Sequence, residues 1–295
     1  MRLIMTAVTE NINPNTVEID LQDGAEIARL INNEDKKVAT AIEKILPTIG
    51  QAIDLIADKL RQGGRMAYCG SGTSGRIGIL DASEMPPTYG VPDDMIQGYI
   101  SGGEQAVRYA VENAEDKDEF AIADIKAFNP SPKDVVVAIS ASGNPQYTVK
   151  VLELARQAGA VTIAVTSNPA AKFKPYADIF LCAEVGPEAV SGSSRMKSGT
   201  AQKMIVNMLS TGAMIRIGKT YKNYMIDVQI HNAKLHERAV RYVCEITGVE
   251  TALAEKTLQL ADNVKTACVM LVKHCNKAEA ENMLKQNNGI LRRIL

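Results

Sequence analysis

Apolar residues recur at helical spacing through the first fifth of the chain: Ile27, Leu30 and Ile31, then Val38, Ile42, Ile45 and Leu46, then Ile49, Ile53, Ile56 and Leu60. The spacing predicts two or three helices over 24–60, interrupted at Pro47. The pattern then changes. Short unbroken apolar runs at 66–69, 95–100, 135–139, 161–165 and 179–181 alternate with helix-like stretches. Unbroken runs, unlike alternating ones, are expected where helices cover both faces of a parallel sheet. The prediction is therefore an α/β sandwich built on about five parallel strands. A long helix is predicted over 196–217, then a polar helical segment from 219 to about 241, then three short amphipathic helices at 249–260, 263–273 and 277–284. The first 20 residues, with Asn11, Asn13, Pro14 and Asn15, are too rich in turn formers for a regular element and read as an arm.

Three loops of this pattern carry hydroxyls and glycines where an apolar run ends and a helix begins. The first is Gly70-Ser71-Gly72-Thr73-Ser74-Gly75. Glycines there let backbone approach a ligand, and hydroxyls beside the unpaired amides of a helix N-terminus suit an anion, above all a phosphate. Gly70, Gly72 and Gly75 also satisfy the dinucleotide fingerprint, but the next strand ends in Ser101, Gly102 and Gly103 rather than in a ribose-binding acid. The nucleotide P-loop reading lacks its lysine and hydroxyl, since Arg76 and Ile77 stand there. A plain strand-to-helix turn is the simplest alternative for this loop on its own.

The second loop, Ser140-Ala141-Ser142-Gly143-Asn144-Pro145, repeats that chemistry after another buried strand, and Pro145 suits the opening of a helix over 146–157. The third, Ser191-Gly192-Ser193-Ser194-Arg195-Met196-Lys197, brings two cations to a helix N-terminus, where the dipole disfavours them. An anion held between them would remove the conflict; a serine cap with solvated cations is the alternative.

Composition narrows the function. Basic and acidic residues nearly cancel, 33 against 34, and no long run of one sign occurs, which argues against nucleic acid as a partner. The five cysteines are dispersed without a Cys-x-x-Cys pair and read as reduced core residues of a cytoplasmic protein. No run of about 18 apolar residues suggests a membrane span, and the first eight residues lack a secretory pattern. His231 and His236 are five apart, on different sides of a helix, so no zinc pair is expected.

The chain resembles the N-acetylmuramic acid 6-phosphate etherases of the sugar isomerase (SIS) superfamily. The resemblance covers TENINPNTVEID, NNEDKKVATAIEKILP, GSGTSGRIGILDASEMPPTYG, ISASGNP, GPEAVSGSSRMKSGTAQKMIVNMLSTG and the helical tail. It implies a three-layer sandwich around a five-stranded parallel sheet, a sugar 6-phosphate as substrate, a homodimer, and no metal, nucleotide or other cofactor. The implied layout is an arm (1–23), an SIS domain with its preceding helices (24–220), a connecting helix (221–242) and a three-helix subdomain (243–295). The implied reaction cleaves the D-lactyl ether by elimination and water addition, giving N-acetylglucosamine 6-phosphate and D-lactate in cell-wall recycling.

By the same resemblance Glu84, in the Ala82-Ser83-Glu84-Met85-Pro86-Pro87 stretch, is the acid that protonates the ether oxygen, and Glu115, in Ala114-Glu115-Asp116, is the second carboxylate. Glu84 beside two prolines and apolar residues is expected to be desolvated, with a raised pKa; Glu115 is expected to be more exposed and ionised, as base. Taken without the resemblance, Glu115 is one of several acids on a solvated helix face. Ser71, Thr73, Ser74, Ser140 and Ser142 are assigned to the phosphate, with Ser193 and Ser194 contributing. An aldose–ketose isomerase of the superfamily, or a non-catalytic sensor like the glucokinase regulatory protein, would bind the same class of ligand.

Overall fold

The structure is a computed structural model and describes residues 10–230 and 232–295. In chain order the elements are α1 (Gly24–Glu43), α2 (Leu46–Arg61), β1 (Met66–Gly70), α3 (Gly72–Ser83), α4 (Met85–Tyr89), β2 (Ile96–Ile100), α5 (Glu104–Arg108), α6 (Asp118–Phe128), β3 (Val135–Ile139), α7 (Gln146–Gln157), β4 (Val161–Thr166), β5 (Ile179–Cys182), α8 (Lys197–Arg216), β6 (Thr220–Tyr221), β7 (Tyr224–Met225), α9 (Ala233–Thr247), α10 (Thr251–Ala261), α11 (Val264–Lys273) and α12 (Lys277–Gln286). Two compact units result. One comprises the chain up to Ser83 with Asp94–Ser210; the other comprises Glu84–Asp93 with Thr211–Leu295.

The first unit is built on a five-stranded parallel sheet in the order β2-β1-β3-β4-β5. β1 and β3 are buried at every position, as their unbroken apolar runs require of central strands covered on both faces. On one face Ala67, Val136, Ala138 and Ala164 pack with Phe128 of α6 and with Tyr147, Val151 and Leu152 of α7. On the other, the Tyr68 hydroxyl donates to the Val206 carbonyl of α8 at 3.2 Å, and Gly78 of α3 lies so close to Tyr68 that an added Cβ would stand 2.8 Å from it. Helices therefore cover both faces, giving the three-layer sandwich expected. Strand order reverses between β1 and β3, so the loops leaving their carboxyl ends flank the crevice where sheets of this kind bind ligands.

Two predicted boundaries shift. The break between α1 and α2 falls at Lys44 and Ile45, and Pro47 opens the second helix instead of ending the first. In a first turn the missing proline N–H has no intrahelical acceptor to lose. The polar stretch after Gly218 begins as a hairpin, β6–β7, with Lys222 at φ 53°, and only then becomes α9. Thr220, Tyr221 and Tyr224 favour the pleated form, and the flanking lysines masked that preference in the helical reading.

In the second unit α9 to α12 enclose a core of Ala239, Val243, Ala254, Leu258, Ala267 and Cys268, with Tyr221 and Ile226 from the hairpin region. Their ends are written locally: Asn232, Asn263 and Asn276 accept from backbone amides at three N-termini, and Asn276 with Glu279 forms a full capping box. Asp227 is held by Lys265 at 2.6 Å and Lys219 at 3.2 Å. Cys69 and Cys268 are buried and the other three cysteines partly so, all unpaired. Among the described residues no helix is long and apolar enough to cross a membrane. His231 lies outside the described residues; His236 of α9 stands 3.5 Å from Glu255.

Candidate functional site

The loop after β1 becomes α3 at once, with Ser71 preceding the first turn. The glycines do different work from that expected of them. A Cβ on Gly70 would lie 2.7 Å from the Gly75 amide, and one on Gly75 would lie 2.6 Å from Ile100 Cγ1, so these two permit helix and strand to pack. Gly72 has φ 53° and open space around it, so it is the glycine of the three that conformation demands on the ligand side.

The hydroxyls also divide. Ser74 is buried and donates to Gln202 Oε1 at 2.9 Å, which makes it a brace between α3 and α8. Ser71 Oγ is bonded to Ser101 Oγ at 2.8 Å. In the second loop Ser140 Oγ accepts from the Gly143 amide at 3.0 Å and Ser142 Oγ from the Asn144 amide at 3.3 Å. A hydroxyl that accepts from the backbone keeps its own proton to give, so Ser140 and Ser142 are set as donors.

The third loop corrects an expectation. Lys197 does not wait for an anion: its ammonium is 1% exposed and 2.7 Å from Glu34 Oε2 of α1. Glu188 accepts from the Lys197 and Ser198 amides at 2.8 and 2.9 Å, so a carboxylate already caps α8. Burial alone would raise the Glu34 pKa, but hydrogen bonds from Lys197, Lys37, Asn13 and Asn15 outweigh it and hold the carboxyl at about 2. Asn13 and Thr16 donate to the Pro187 and Ala189 carbonyls at 3.2 and 2.8 Å, so the segment before α1 is tied to this loop. None of Glu34, Glu188 or Gln202 stood out in the sequence, because an acid or amide within a polar helix or loop carries no local mark of its partner.

The three loops converge on a cavity of about 310 Å³. Ser71, Thr73, Ser74, Ser140, Ser142 and Ser194 line it, together with Glu115 and Glu10; Ser193 does not. Among the described residues the lining contains no lysine or arginine, so an anion there would be held by hydroxyls and by the amides of the first turn of α3. Glu10, which sequence reasoning passed over, comes from the segment before α1.

Of the two sequence-predicted acids, Glu115 is exposed as expected and Glu84 is not desolvated. Glu115 lies in a short turn before α6 and its side chain reaches solvent, yet the surrounding walls, with Asp116 adding like charge, push its carboxyl above the ordinary value. Glu84 is exposed at the head of α4 and belongs to the second unit, so the desolvation expected of it is not found. Prolines in the first turn direct the backbone but shield the preceding side chain from little water. A further acid, Asp81 of α3, is buried, accepting from Asn207 at 2.5 Å and Ser210 at 3.2 Å.

A parallel sheet in this order with a serine-lined cavity at its switch point defines an α/β protein that binds its ligand at the carboxyl ends of its strands. Residues 108–212 match the SIS domain, 48–156 the N-terminal SIS domain of glucokinase regulatory protein, and 222–265 that protein's C-terminal lid domain. A solved structure from Bacteroides fragilis, described as a phosphosugar isomerase involved in capsule formation, shares the fold with a TM-score of 0.50 and 21% identity, over 64% of this chain and 91% of that one. Etherases are much closer in sequence. N-acetylmuramic acid 6-phosphate etherase of Glaesserella parasuis is 49% identical, over 97% of this chain and 94% of that protein. The etherase of Aeromonas hydrophila is 49% identical over 98% and 97%, and that of Vibrio vulnificus 48% over 98% and 96%. The chain belongs to the N-acetylmuramic acid 6-phosphate etherase family.

Proposed function

We infer that the chain is a carbon–oxygen lyase that cleaves the D-lactyl ether of N-acetylmuramic acid 6-phosphate, giving N-acetylglucosamine 6-phosphate and D-lactate. Identity of 49% extending over 97% of the chain carries the reading, because an isomerase sharing only the sheet would not match through the tail, and the glucokinase regulatory protein domains match only in the segments 48–156 and 222–265. The cavity supports it. Hydroxyls of Ser71, Thr73, Ser140, Ser142 and Ser194 and the α3 amides receive the phosphate, with Ser74 bracing the loop from behind.

Glu115, in the same cavity, takes the C2 proton of the open-chain sugar, whose C1 aldehyde acidifies it. Its raised pKa makes it a stronger base than an ordinary glutamate. The ether oxygen is a poor leaving group and needs a proton, a role we assign to Glu84 from its place in the family motif; water then adds to C3 of the unsaturated sugar. We also propose that the chain works as a cytoplasmic homodimer without cofactor, in an SIS domain followed by a helical subdomain over 243–295. Five unpaired cysteines and a phosphorylated sugar substrate fit the first of these; the family resemblance supports the second.

Incubation of the purified protein with N-acetylmuramic acid 6-phosphate and an assay for lactate tests the reading. Lactate release is expected. A ketose product would replace the reading with an isomerase, and binding without turnover would replace it with a sensor.

A further inference from the structure

Beyond Glu115 the phosphate cavity has a neighbour. A second hollow of about 190 Å³ is bounded by Arg76, Ser101, Ala106, Tyr109 and Val111, and Ser71, Gly72 and Glu115 line both spaces. These three residues therefore stand between the two hollows. Among the described residues Arg76 is the one cation in the lining of either, and no carboxylate pairs with it. Its Nε donates to the Val107 carbonyl at 2.8 Å and one terminal nitrogen to the Tyr109 carbonyl at 3.4 Å. Those bonds fix the plane of the guanidinium and leave the donors of the other terminal nitrogen unspent.

We propose that this second hollow receives the lactyl substituent of the substrate, with Arg76 binding its carboxylate, so that Arg76 is the residue that selects a 3-O-lactyl sugar. The proposal rests on the etherase reading above. With the phosphate on C6 in the first cavity and C2 at Glu115, the groups extending past Glu115 are those on C2 and C3. The C2 acetamide is neutral; the lactyl group on C3 carries the substrate's second anionic group, a carboxylate. Glu112 and Glu115 also line the second hollow, so without Arg76 it would repel a carboxylate. A guanidinium is suited to the planar, two-point recognition a carboxylate offers. Ala106 and Val111 on the same walls give the lactyl methyl an apolar surface.

The test uses analogues of the substrate that lack the C1 oxygen, so that no aldehyde acidifies C2 and none can eliminate. One carries the 3-O-lactyl acid, a second its neutral lactamide. Binding is measured as competitive inhibition of lactate release. The wild-type protein is expected to bind the acid at least about tenfold more tightly than the amide, a difference of about 1.4 kcal/mol. Arg76→Gln is expected to abolish that preference while N-acetylglucosamine 6-phosphate, which has no lactyl group, inhibits it as it does the wild type. Equal binding of acid and amide by the wild type overturns the proposal. So does an Arg76→Gln protein that weakens for N-acetylglucosamine 6-phosphate as much as for the acid, because Arg76 would then only hold the Val107 and Tyr109 backbone. If Arg76→Gln does not fold, the wild-type comparison of acid and amide decides alone. Absence of lactate release by the wild type would count against the etherase reading, and the Arg76 preference would then be read by direct calorimetric binding of the two analogues.

Discussion

Two helix N-termini in this chain look alike in sequence and differ in the folded protein. α3 and α8 both follow loops of serine and glycine, and the loop before α8 adds cations of the kind that invite an anion. At α8 the invitation is already answered from within: Glu188 caps the amides and Glu34 neutralises Lys197. At α3 hydroxyls line the cavity at the helix start, and those of Ser140 and Ser142 accept from the backbone and so keep their protons to give. Positive charge near a helix start is therefore a poor guide to an anion site; polar groups whose donors the protein leaves unspent are a better one.

Four substitutions test these assignments. The largest effect is expected from Glu115→Gln, which removes the base and should lower kcat by about 10²- to 10⁴-fold, with loss of solvent deuterium entry at C2. Unchanged C2 exchange would take Glu115 out of the mechanism. Next is Lys197→Met at α8. It leaves the buried Glu34 with its main partner gone and should destabilise the fold by about 3–5 kcal/mol in denaturant unfolding.

The sign with pH follows from the depressed Glu34 pKa. Its contribution is present above the ordinary glutamate value, about 4.5, and is lost as pH falls towards about 2. Lys197→Met should accordingly begin to unfold at higher pH than the wild type during acid titration. If stability is unchanged and affinity for sugar 6-phosphates falls instead, Lys197 serves the ligand and the contrast between the two helix starts is wrong.

Ser140→Ala, on the α3 side, should weaken sugar 6-phosphates by about tenfold, on the scale of one hydrogen bond to a charged group, and the unphosphorylated sugar much less. Equal weakening of both would argue against phosphate contact. The smallest effect is expected from Asp116→Asn. Burial first, and the Asp116 charge second, raise the Glu115 pKa, so activity that needs ionised Glu115 falls off at a higher pH than an ordinary glutamate would dictate. Removing the Asp116 charge should move the acid limb of the kcat/KM profile to lower pH, by less than about one unit.

Much of this was legible before the structure. The unbroken apolar runs announced central strands of a parallel sheet, and α7 begins and ends where Pro145 and the spacing of its apolar residues put it. The three tail helices α10 to α12 were visible because their apolar stripes are local, and α11 and α12 carry local asparagine caps as well. The hairpin at Thr220–Tyr221 and Tyr224–Met225 was not, because its lysines fit a polar helix equally well. Ser71, Thr73, Ser74, Ser140, Ser142, Ser194 and Glu115 do share a cavity, where Ser74 also braces the loop through Gln202, whereas Ser193 lies outside the lining.

By itself the sequence determined the succession of strands and helices, the serine loops at two strand ends and the family, since all of these are written in neighbouring residues or in agreement along the chain. Only the tertiary structure decided that Glu34 answers Lys197 across 163 positions, that Ser74 faces Gln202, and that Arg76 and Glu115 border one hollow. Those outcomes depend on which side chains meet in space and how much water is left between them, and spacing along the chain encodes neither.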